Sequence, residues 1–212
     1  MLPRVLASAA VVSAVAFASP IVLRTATPLD AAAPVALATF NIDPAHTMIM
    51  FKVRHLGIST VTGRFAKFSG TFQLDPASGQ VGSAALNIET ASITTDNDRR
   101  DADLRSPNFF AADSFPQVTF VSTRVTKAAG GKYKVEGNLT MHGVTKPVTL
   151  DAELAGSRET PRGWLAAVNM TGSVKRKEFG LMWDRMAEGI AVVSDDVALQ
   201  IEVEAKEAKA AP

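Results

Sequence analysis

A chain of 212 residues, 47% of them hydrophobic, is long enough for one globular domain with a sizeable core. The absence of cysteine excludes disulfides, a thiolate nucleophile, cysteine-ligated zinc or iron–sulfur, and lipid anchoring through cysteine. The 22 basic and 21 acidic side chains form no basic block or stripe, which argues against a nucleic-acid partner.

At the N-terminus, Arg4 precedes an apolar run rich in Ala, Ser and Val from Val5 to Leu23, interrupted by Pro20. A basic start, an apolar stretch and small-residue cleavage sites describe a secretory signal peptide. Two such sites fit, Ala16-Phe17-Ala18 and Ala36-Leu37-Ala38. The alternative is an uncleaved anchor, since the run approaches the roughly 20 residues a membrane span needs. Its many Ala and Ser residues and its proline make it a weak span. Arg24–Ala38 reads as a linker. Residues 1–38 are thus expected to be leader and linker, 39–206 the domain, and 207–212 a disordered tail. Arg4, Arg24 and Asp30 leave with residues 1–38, so the remainder carries 20 basic and 20 acidic side chains.

From Thr47 onward the dominant hydrophobic period is two. Ile49, Phe51 and Val53 alternate with Met48, Met50, Lys52 and Arg54, and Val197, Leu199, Ile201 and Val203 alternate with polar or small neighbours. This pattern predicts strands buried on one face, at roughly 47–55, 60–74, 81–90, 116–127, 132–142, 146–155, 163–176 and 192–204. The phase slips between Phe65 and Phe68, which predicts a bulge near Ala66-Lys67. Only 97–110, between the third and fourth strands, breaks the period. Asn97 and Asp98 are candidate caps for a short helix there. Eight antiparallel strands with one helical insertion favour a closed up-and-down barrel, because closure removes exposed edges; a two-sheet sandwich is the alternative. There is no internal repeat.

An up-and-down order sorts the connections into two ends. Polar turns at 75–80, 128–131 and 156–163 share one end. The segments after His55, from 91 to 115, at His142 and after Lys175 share the other, which is the expected mouth of a ligand cavity.

Little of the sequence signals catalysis. No G-x-S-x-G, P-loop or G-x-G-x-x-G motif occurs. His46 and His55 lie up to about 30 Å apart if the chain between them is extended, so a site using all three histidines is disfavoured. His55 and His142 at one rim, with Asp101 or Asp103, would suit an acid–base or metal site. The competing reading is that each histidine hydrogen-bonds a turn backbone at a strand end, with Gly143 supplying a positive φ. RRDADLRS (99–106) either offers Arg100 or Arg105 to a polar head group or is a solvated helix of self-paired charges. Gly70, Ala84, Gly137, Ala166 and Gly172 on apolar faces leave room either for a ligand or for large side chains opposite.

Five blocks, FNIDPAHTMIMFKVRHLGISTVTGRF (40–65), RRDADLRSPNFF (99–110), FPQVTFVST (115–123), GNLTMHGVTKPVTL (137–150) and SVKRKEFGL (173–181), together resemble the YceI family, with LTMHGVTKPV the most specific. The resemblance spans essentially 40–205. It implies a lipocalin-like barrel of eight antiparallel strands, export to the bacterial periplasm, and binding of a polyisoprenoid or quinone-like lipid in an elongated apolar cavity. It brings no catalytic residues, metal or cofactor besides the lipid. Dimers are known in the family, so a homodimer and transient membrane contact are further expectations. Two departures stand out: Asp103 where the family often has histidine, and Thr47 where serine is usual.

Strand phase supplies the candidate lining. From the first half come Phe51, Val53, Phe65, Phe72, Leu86 and Ile88; from the second come Phe120, Leu139, Met141, Trp164 and Val168. Phe109, Phe110, Phe179 and Trp183 are expected to close the mouth, and His55, Arg100 and His142 are the head-group candidates. The function expected is sequestration or carriage of an isoprenoid-type lipid by a non-enzyme. A lipid-modifying enzyme using His55 and His142, or a filled barrel without ligand, is the alternative.

Overall fold

The structure, a computed structural model, describes residues 37–187 and 189–209. The predicted leader therefore lies outside the described residues except for Leu37 and Ala38, and so do residues 210–212 of the predicted tail.

The chain enters the sheet earlier than its periodicity predicts. Strand β1 (Ala38–Ile42) lies where the linker was expected to end. It buries Phe40 completely, and five residues are too few to display a period. Pro44 then opens a 3-10 turn over Pro44–His46, with the Asp43 carboxylate accepting from the Ala45 amide at 3.1 Å. The chain resumes as β2 (Met48–His55).

The next segment is broken in the same way. Strands β3 (Ser59–Phe65) and β4 (Phe68–Asp75) are separated at Ala66-Lys67, where the phase slip predicts a bend. The Ala66 amide donates to the Ser92 carbonyl at 3.1 Å and the Lys67 amide to Ser92 Oγ at 3.1 Å. Beyond them come β5 (Gln80–Glu89), the two-residue β6 (Ile93–Thr94), β7 (Gln117–Lys127), β8 (Lys132–Met141), β9 (Val144–Thr160) and β10 (Gly163–Lys175). A small hairpin of β11 (Met186–Ala187) and β12 (Ile190–Ala191) precedes the last long strand, β13 (Val193–Glu207). Glu207 is thus in the sheet rather than in the tail.

With β1/β2 and β3/β4 each counted as one interrupted strand, eight antiparallel strands close in sequence order. Strand β13 returns to the first strand along both halves, pairing Glu207 with Phe40 and Leu199 with Phe51. Toward the mouth the closure is incomplete: β3 pairs on its outer side only with β6, through Arg64↔Thr94 and Phe65↔Ile93. Helix α1 (Asp98–Arg105) follows, capped by Asn97, whose side chain accepts from the Arg100 amide at 3.0 Å. The helix is shorter than the 97–110 window, because Pro107 disfavours helical backbone at the residue before it. The third polar turn is also shorter than predicted, since β9 and β10 extend to Thr160 and Gly163.

Packing divides the interior. Phe40, Leu74 and Ala205 have no exposed surface, and the Phe40 and Phe72 rings stack at 5.5 Å. The glycines on apolar faces serve close packing. A Cβ on Gly137 would lie 2.4 Å from the Phe120 ring, and one on Gly172 2.6 Å from Leu150 Cδ2. At these positions the space belongs to side chains opposite.

Candidate functional site

Inward-facing side chains of all the long strands enclose a cavity of about 410 Å³, within the roughly 300–1,000 Å³ typical of small-molecule sites. It extends from His55, Phe109 and Trp183 at the mouth to Val81, Val125 and Tyr133 at the closed end. Its walls are overwhelmingly apolar.

Most of the residues that strand phase turns inward border this cavity. Phe51, Val53, Phe65, Phe72, Leu86 and Ile88 all face the cavity, as do Phe120, Leu139, Met141 and Val168. Of the residues expected at the mouth, Phe109, Phe110 and Trp183 line it. Phe109 and Trp183 bring the insertion and the β10–β13 connection together, with ring centroids 5.1 Å apart. Phe110 packs edge-on against Phe65 at 6.0 Å.

Two aromatic expectations are corrected. Trp164 does not line the cavity: it packs against the buried cluster that includes Phe40, Leu74 and Ala205. Phase gives the face of a strand but not the height at which the interior becomes solid. Phe179, 1% exposed, is core within the 3-10 turn Arg176–Phe179, where strand phase no longer applies.

His142 is corrected as well. It sits with Gly143 in the two-residue turn between Met141 and Val144, and both turn residues have positive φ, +52° and +75°. This is the pattern of a tight hairpin turn whose twist matches its strands. The imidazole packs on Phe115 with centroids 4.5 Å apart and does not line the cavity. It therefore marks the turn, though by aromatic packing rather than by the expected hydrogen bond to backbone. His55 does line the cavity, at the end of β2 opposite Ser59 and Val193. The alternative that pairs these two histidines at one rim gains no support, since only His55 lines the cavity.

Arg100 lines the mouth, held by Thr95: Nε donates to Thr95 Oγ1 at 2.7 Å and Nη2 to the Thr95 carbonyl at 2.9 Å. Thr95 Oγ1 in turn donates to the buried Asp101 carboxylate at 2.5 Å, and Thr94 Oγ1 donates to its other oxygen at 2.9 Å. Burial pushes the Asp101 carboxyl upward, but these hydrogen bonds outweigh it and hold the group below its ordinary value. Arg105 donates to the Ile93 carbonyl at 3.1 Å. The helix is anchored to the preceding β6–Thr95 segment rather than self-paired.

Arg176 was not singled out from sequence. It is 4% exposed and faces the cavity. Nη1 donates to the Leu181 and Trp183 carbonyls at 2.7 and 2.6 Å, and Nε to the Ser194 carbonyl at 3.0 Å. One guanidinium thus ties both arms of the connection that borders the mouth. Burial pulls its pKa down, while Asp195 and Asp184 act in the opposite sense.

Among the described residues, three potential metal-ligand side chains come together only at Asp43, His46 and Glu204, whose ligand atoms lie within 4.8 Å of one another. None lines the cavity, and Lys206 Nζ already contacts Asp43 Oδ2 at 2.6 Å. Asp43 and Thr47 both bond the backbone of Glu204, so the cluster fastens the break between β1 and β2 to β13.

The family model described as YceI-like domain matches residues 40–205. A UPF0312 protein of Pectobacterium atrosepticum is 39% identical over 184 residues, covering 85% of this chain and 93% of its own. The YceI protein of Campylobacter jejuni superposes with a TM-score of 0.66 at 35% identity, covering 74% of this chain and 90% of its own. A polyisoprenoid binding domain from Saccharophagus degradans shares the fold, with a TM-score of 0.55 at 18% identity over 82% of this chain and all of its own.

Proposed function

We propose that this chain, which belongs to the YceI family, holds an isoprenoid-type lipid in its barrel, as carrier or reserve, without transforming it. The observation that carries the reading is the continuous apolar cavity running from the mouth to the closed end. An apolar chain gains about 0.8 kcal/mol for each CH₂ it removes from water. A long hydrocarbon thus binds tightly here with few polar contacts. Arg100 and His55 at the mouth suit a polar head group. The isoprenoid class is favoured by the family resemblance and by the designation of the Saccharophagus degradans domain, which shares the fold.

The protein is proposed to act in the periplasm after removal of its leader. Because Ala38 pairs with Leu74 in β1, cleavage after Ala38 would start the mature chain inside the sheet; cleavage after Ala18 is expected. The intact mass of the exported protein checks this. Transient membrane contact at the mouth end is supported by the exposed side chains of Ile58, Met182 and Met186 in its connections.

The deciding experiment is mass spectrometry of organic extracts from protein purified from its own periplasm without detergent. A stoichiometric isoprenoid supports the carrier reading and names the lipid. A blank from natively folded protein refutes it.

A further inference from the structure

The closed end of the cavity is not uniform. Toward β1, β4 and β13 the closed end is solid, with Phe40, Leu74 and Ala205 fully buried. Toward β5, β7 and β8 it is thin. Val81, Val125 and Tyr133 line the interior cavity, and the same three residues line an outer cleft with Ser78, Gln80 and Lys127. A single layer of side chains separates the apolar interior from solvent there.

Tyr133 is the only tyrosine of the chain and is 4% exposed. Its hydroxyl donates to the Gly79 carbonyl at 2.5 Å, in the turn between β4 and β5. Gly79 has φ of +66°, and a Cβ there would lie 3.2 Å from the phenol oxygen. Lys127 Nζ donates to the neighbouring Ser78 carbonyl at 2.5 Å. The ring is therefore pinned across the end of the cavity by its polar tip, and burial raises the phenol pKa, which keeps it a neutral donor.

We propose that Tyr133, with Val81 and Val125 beside it, is the floor that sets the longest chain the barrel accepts. This rests on the lipid-holding reading. Each added carbon strengthens binding only while it remains inside, so affinity rises with chain length until the terminus meets the ring, and further length must leave through the mouth.

The test uses linear all-trans isoprenoid alcohols of graded length, offered singly to the delipidated mature protein and scored by native mass spectrometry. Wild type should show affinity rising to a cut-off length. Tyr133→Ala should move the cut-off to longer chains by about one isoprene unit or more, since large-to-small substitutions leave most of the removed volume open. Tyr133→Phe, which keeps the ring, should retain the wild-type cut-off. Val125→Phe, which thickens the floor from inside, should move it to shorter chains, and it decides the matter if Tyr133→Ala does not fold. An unchanged cut-off in folded Tyr133→Ala and Val125→Phe overturns the proposal while leaving the carrier reading intact. If wild type retains no alcohol of any length, the carrier reading itself fails.

Discussion

Leu139→Asp tests the cavity as the binding element. Leu139 lies on β8 opposite Phe120 and Lys146, with its side chain in the cavity wall and packed against both buried clusters. Loss of its contact with a bound chain costs about 2 kcal/mol, or roughly 30-fold in affinity. The new carboxylate adds several kcal/mol, because it must shed its water when the chain enters. The combined loss is on the order of 1,000-fold or more, enough to strip lipid during purification. Leu139→Ala carries the first cost alone and should keep part of the lipid. The assay is lipid-to-protein stoichiometry in detergent-free preparations, with far-UV circular dichroism and the melting temperature as folding controls. A folded Leu139→Asp protein with wild-type lipid content would refute the reasoning.

The turn and the connections give further expectations. His142→Ala should leave lipid content unchanged while costing about 1 kcal/mol in urea unfolding, because the ring packed on Phe115 is lost. Arg176→Met should cost about 3 kcal/mol by leaving buried carbonyls unpaired, and limited proteolysis should then cut within 181–192. The Asp43–His46–Glu204 cluster predicts a pH dependence. The His46 pKa is raised above its usual 6.5 by the hydrogen bond to Asp43 and by the charge of Glu204, so its stabilisation is complete below about 6.5 and fades as pH rises through the folded value. Asp43 is held far below the ordinary carboxylate range by Lys206, His46 and the Ala45 amide, so its share is present at neutral pH and lost only in strong acid. The melting temperature of wild type should thus fall between pH 6 and pH 9 relative to His46→Gln; parallel profiles would refute the link.

How legible each part was follows from what period two can encode. It gives the inward pair Leu139 and Met141 because one face meets hydrocarbon and the other water, while on β2 Met48 and Met50 alternate with Ile49, Phe51 and Val53 and blur the contrast. The break at Ala66-Lys67 showed as a phase slip. Strand β1 was hidden because five residues next to a small-residue cleavage pattern resemble a linker. Trp164 illustrates a second limit, since alternation states direction and not depth. Arg176 illustrates a third. A cation between Lys175 and Lys177 reads as solvated surface, and only the return of the chain through Leu181, Trp183 and Ser194 surrounds it with carbonyls. Tyr133 carried no signal either: its partner, Gly79, lies 54 residues away.

The barrel is not equally stiff around its circumference. Most of the ring is a ladder in which neighbouring hydrogen bonds share any load, so widening it requires many bonds to fail together. On the outer side of β3 that ladder shrinks to the pairings with Ile93 and Thr94. The mouth beside it is walled by side chains: Phe65 against Phe110, Phe109 against Trp183, and Arg100 on Thr95. Packing of this kind yields one rotamer at a time. The mouth therefore has a compliant side, and a bulky chain is expected to press in there, sideways between β3 and the insertion, rather than straight down the axis. Hydrogen exchange around residues 93–116 would register that yielding as faster opening than in β8, β9 or β10.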